Sequence, residues 1–121
     1  MRILTLAVSV LLTAPAGNAG QPISESMVQC SALYSVAGSW VENAEKAARL
    51  YSLSDAWVAA SEARAAAEGI SLSQDHVNAL WTHKCAEWSS KGRLYVFSQD
   101  FRDWMSYCKA LGREVGVPGR P

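Results

Sequence analysis

Apolar or small side chains recur at Met27, Cys30, Tyr34, Ala37, Val41, Ala44, Ala48 and Tyr51, at intervals that alternate three and four. A strand repeats every two residues and a helix every 3.6, so this seam commits the region to helix. It predicts one long first helix over 24–51. Ser24 is its expected N-cap, with Ile23 packing on Val28 as a hydrophobic staple. Gly38 lies off the seam and costs about 1 kcal/mol relative to Ala, which marks it as a close helix contact or a kink. Glu42–Lys46 and Glu45–Arg49 are i,i+4 pairs in the favourable order.

Three more segments follow the same logic. Ser52-Leu53-Ser54 reads as a turn, with Ser54 capping a second, alanine-rich helix that runs to about Glu68 and stops at Gly69. Ser73 caps a third helix whose stripe is Val77, Leu80, Trp81, Cys85 and Trp88, ended by Gly92. Leu94 to Phe97 has strand-like propensity but no partner strand, and reads as a packed loop. Ser98 caps a fourth helix whose seam is Phe97, Phe101, Trp104, Cys108 and Leu111, ended by Gly112 or Gly116. The expected fold is therefore all-α, a small four-helix bundle-like domain with a long first helix.

The N-terminus has the pattern of a cleaved export signal. Arg2 precedes an apolar run from Ile3 to Leu12, and Gly17-Asn18-Ala19 puts small residues where a signal peptidase reads. The run is about half the roughly 20 residues that span a bilayer. The expectation is a signal peptide over 1–19 and a helical domain over 20–121, periplasmic or secreted, with no stable membrane anchor after cleavage. That domain carries ten basic and eleven acidic residues, interspersed. It has no basic block and no electrostatic footprint for nucleic acid.

Export implies an oxidising compartment and a disulfide. Three cysteines permit one bridge and leave one thiol. In an up-down-up-down bundle, Cys30 near the start of the first helix is level with Cys108 near the end of the fourth. Cys85–Cys108, flanking the last hairpin, is the rival. The favoured pair is Cys30–Cys108, which leaves Cys85 as a buried, inert thiol.

Chemistry is thinly signalled. His83 and Glu87 are i,i+4, and His76 lies seven before His83, so helix 3 offers three metal ligands at most, spread over two turns. Zinc needs three or four that converge, and Cys85 points away from that face. These residues read first as a solvated polar face, and no cofactor is expected. A haem would need His76 or His83 with Met27 or Met105, and no CxxCH is present. There is no nucleophile elbow, phosphate loop or EF-hand loop, so no catalytic residue is assigned. Five tryptophans, Trp40, Trp57, Trp81, Trp88 and Trp104, are abundant for the size and read mainly as core. Trp88, Tyr95 and Phe97 bracket the loop after the third helix and form the candidate interaction patch. The expected function is a non-enzymatic binding or interaction module of the cell envelope with an envelope protein partner. The alternative is a small periplasmic haem or metal carrier.

Overall fold

The computed structural model describes residues 21–118. The expected signal peptide, 1–19, lies outside the described residues. Four α-helices follow in order: α1 (Ile23–Trp40), α2 (Ala44–Ala67), α3 (Gln74–Ser89) and α4 (Gln99–Val115), with a short 3₁₀ segment (Arg93–Phe97) before the last. There is no strand among the described residues.

Capping explains most of the boundaries. Ser73 and Ser98 accept from the backbone N–H groups of His76 and Phe101, at 3.2 and 3.1 Å. Three of the expected stops, Gly69, Gly92 and Gly116, are left-handed glycines. At Gly69 (φ 70°) the chain reverses so that Ile70 N–H reaches the Ala65 carbonyl, and at Gly116 (φ 82°) Val117 N–H reaches Gly112. Both are Schellman closures, a geometry that glycine adopts without a Cβ penalty. α1 is capped differently from expectation. Pro22 holds the cap position with no side-chain bond. Ser24 lies inside the first turn, where its N–H donates to the Glu68 carboxylate from the far end of α2, at 3.0 Å.

The long first helix is the main correction. α1 stops at Trp40, Val41 is extended, and Asn43 caps α2 by accepting from Lys46 N–H at 2.9 Å. α2 then passes through Ser52-Leu53-Ser54 without a turn and is the longest helix, 24 residues against 18 for α1. The seam extends past the break because Ala44 and Ala48 read as apolar, yet they are solvent-exposed. Alanine suits an exposed helical position as well as a buried one. The face of α2 that enters the core is instead Leu50, Leu53, Ser54, Trp57, Ser61 and Ala65. Glu42 falls in the break, so it pairs with Arg93 at 3.3 Å and not with Lys46; Glu45–Arg49 stands at 3.7 Å.

α1 is the centre of the bundle. Each of the other helices packs on it, and 12 of its residues are buried, from Ser24 to Gly38. A helix covered on all sides carries no single polar face, and its buried residues include Ser26, Gln29 and Ser31. The hydrogen-bonded pairs fix direction. Glu25–His76, Ser31–Trp81 and Trp40–Arg93 rise together along both chains, so α3 runs parallel to α1. α2 and α4 run the other way, giving an up-down-up-down order.

Cys30 and Cys108 form a disulfide, with Cα atoms 5.7 Å apart, that fastens α4 to α1. One turn before Cys108 on α4, Trp104 meets Trp88 edge to face at 5.2 Å, with Lys84 Nζ 5.3 Å from both ring centroids. Trp57, Trp88 and Trp104 are fully buried, and Trp40 and Trp81 are half-buried. No described helix is long and apolar enough to cross a membrane.

Candidate functional site

The break between α1 and α2 and the 3₁₀ segment lie at the same end of the bundle. Arg93 ties them together, donating to the Trp40 carbonyl at 3.1 Å and to Glu42 at 3.3 Å. Between them is a half-open groove of about 460 Å³. Its walls are Ala37 and Trp40 of α1, Leu94 and Phe97 of the 3₁₀ segment, and Phe101 and Met105 of α4. Among the described residues, the charged side chains that line it, Lys46 and Arg93, are both cations.

The 3₁₀ geometry makes this surface. With three residues per turn, side chains at i and i+3 eclipse. Leu94 and Phe97 therefore point outward together, 79% and 71% exposed, while Tyr95 between them points in. Tyr95 packs edge to face on Phe101 at 5.7 Å and on Trp40 at 6.3 Å, and its hydroxyl donates to the Asp100 carboxylate. Burial, and then the bond to Asp100, push the Tyr95 phenol well above its ordinary value of 10.0. It stays a neutral, fixed wall of the segment.

Of the candidate patch Trp88, Tyr95 and Phe97, the structure leaves only Phe97 on the surface. Trp88 and Tyr95 are core residues, because the segment closes over the aromatic cluster at this end of the bundle. The local sequence does not mark the groove's other walls as a surface. Leu94 was legible in principle, since it and Phe97 differ by three. Lys46 reads as the i,i+4 partner of Glu42, and Trp40 and Met105 carry no local signal that separates groove from core.

The polar candidates on α3 do not converge. His76 Nε2 lies 2.6 Å from Glu25 on α1. His83 is exposed, one turn before Glu87 with its Nε2 at 3.9 Å, and Glu87 also faces Lys84 at 3.2 Å. Among the described residues no three His, Cys, Asp or Glu side chains come together as a metal cage. Met27 is in the core and Met105 lines the groove, at the end away from His76. Cys85, the free thiol, is half-buried with its sulfur 3.9 Å from the Ala32 carbonyl, and burial pushes it up to about 11. It has no imidazole partner to make it a nucleophile.

Compared with known proteins, the chain matches no family model, no curated protein and no solved structure.

Proposed function

We propose that the protein is a non-enzymatic binding module of the cell envelope that works through the groove beside the 3₁₀ segment. The observation that carries this reading is the pair Leu94 and Phe97, both highly exposed, standing at the lip of an apolar groove. Single exposed apolar residues are common on soluble proteins. Two large ones held in register by a 3₁₀ turn, next to a concavity, are a contact surface. The Cys30–Cys108 disulfide supports an oxidising compartment, and with the signal-like N-terminus it supports a periplasmic or secreted site of action.

The test is site-specific photo-crosslinking in the native compartment. A photoreactive side chain at Phe97 is expected to give a discrete adduct, and one at Glu62, exposed on α2 and outside the groove, none. Phe97→Ser and Leu94→Ser are expected to leave unfolding stability within about 0.5 kcal/mol of the parent, as exposed substitutions do. Equal adducts at both positions, or a stability loss like that of a core substitution, refute the reading. A Soret band, or stoichiometric metal lost on His83→Ala, in protein purified from that compartment would replace it with a carrier function.

A further inference from the structure

We infer that the groove docks a short amphipathic helix of a partner polypeptide, with its apolar stripe against Leu94, Phe97, Phe101 and Met105 and an acidic side chain facing Lys46. The inference rests on the binding-module reading and adds the occupant.

Three observations select it. First, the groove is half-open. A wholly apolar occupant such as an acyl chain would leave much of its own surface in water. A helix with one apolar and one polar face buries the first and keeps the second solvated, which is the helix-in-groove mode of recognition. Second, the walls are aromatic, leucine and methionine side chains drawn from three elements. Those residue types accept the large side chains that recur at i, i+3 or i+4, and i+7 on a helix. Third, the charge is one-sided. Among the described residues no carboxylate lines the groove, and Glu42 neutralises Arg93. Lys46 is exposed and pairs with no carboxylate among the described residues. It is the uncompensated charge at the rim, so the complementary partner is acidic on that flank.

The test uses a phage library of roughly 15-residue helix-patterned peptides selected on the oxidised protein, followed by affinity measurement of the enriched sequences. The expected peptides carry large apolar residues at helical spacing and an Asp or Glu on one flank. Phe97→Asp is expected to weaken them by at least about tenfold, as loss of a central anchor does. Lys46→Glu is expected to weaken them about two- to fivefold at low salt, with recovery when the acidic position is changed to Lys. Both variants lie at exposed positions, and circular dichroism checks that they remain folded. Enriched peptides indifferent to Phe97→Asp, or no enrichment at all, overturn the inference and remove support from the groove itself. Peptides sensitive to Phe97→Asp but lacking an acid and indifferent to Lys46→Glu overturn the acidic helix alone and leave the binding-module reading standing. Sedimentation showing a dimer that Phe97→Asp dissociates assigns the groove to a second copy of this chain. Binding of the protein to anionic vesicles, lost in Phe97→Asp, without peptide enrichment assigns it to a membrane surface. Either result overturns the partner helix.

Discussion

Ser31 and Ser54 exchange hydrogen bonds across the α1–α2 contact: each hydroxyl donates to the other's main-chain carbonyl, at 2.7 and 2.8 Å. Each hydroxyl has one proton, already committed to a carbonyl, so the 2.9 Å approach of the two oxygens is a packing contact. Trp81 Nε1–H then donates to Ser31 Oγ at 3.2 Å and brings α3 to the same point. Three helices are thus registered at one buried polar node. Ser31→Ala and Ser54→Ala are each expected to cost about 1–2 kcal/mol, the loss of a buried hydrogen bond with little change in volume. A double-mutant cycle by urea unfolding is expected to show coupling above about 0.5 kcal/mol. Strict additivity would mean that the two serines do not act as a unit.

The same node shows why the sequence misleads here. Periodicity detects apolar stripes, and a serine in a stripe reads as polar. α1 is buried on several faces, some of them serine, so only one of its seams is visible. Ser54 reads as a cap because serine favours caps, and its actual partner, 23 residues away, is outside any local rule. The true cap, Asn43, was available on the same grounds and was hidden by the unbroken seam. Helix count, the Ser73 and Ser98 caps and the Cys30–Cys108 bridge were legible, since each depends on local chemistry or on bundle order. The groove was not, because its walls come from three separated segments.

The disulfide gives a second prediction. It links positions 78 apart, and in the chain-entropy model a loop of that size stabilises the fold by about 4 kcal/mol. Reduction, or the Cys30→Ser/Cys108→Ser double variant, is expected to lower unfolding stability by that order. Denaturant titration with and without reductant measures it. An unchanged midpoint would mean that the unfolded chain is not released by cutting the bridge.

Two helical glycines are expected to respond differently to alanine. A Cβ at Gly112 would stand 2.8 Å from the Val117 carbonyl oxygen and 3.3 Å from the Trp57 ring. The carbonyl is backbone in the α4 closure and Trp57 is core, so neither gives way easily. Gly112→Ala is expected to destabilise by about 1–3 kcal/mol, the range for overpacking. At Gly38 the obstacle is the Tyr51 ring, at 2.9 Å, on a partly exposed side chain that can swing outward. Relief of glycine's entropy then offsets the contact, and Gly38→Ala is expected to be within about 1 kcal/mol of neutral. Thermal unfolding of the two variants decides it, and the opposite order would refute the packing argument.

Alkaline stability is the last expectation. Burial raises the Cys85 thiol from 9.0 to about 11 and raises Tyr34 above 10.0; burial and the Asp100 bond raise Tyr95 further. A group whose proton is held more tightly in the folded state ionises first in the unfolded chain. Its contribution is complete below the unfolded value and is lost as pH rises toward the folded one. The fold is therefore expected to weaken above about pH 9, first through Cys85 and above pH 10 through the tyrosines. Every protein also loses lysine charge in this range, so the informative quantity is the difference between variants. Relative to the parent, Cys85→Ala is expected to flatten the melting-temperature profile between pH 9 and 11. Tyr95→Phe is expected to flatten it above pH 10 while losing the Asp100 bond at neutral pH. Profiles parallel to the parent's in both variants would show that neither group is desolvated as its position in the fold implies.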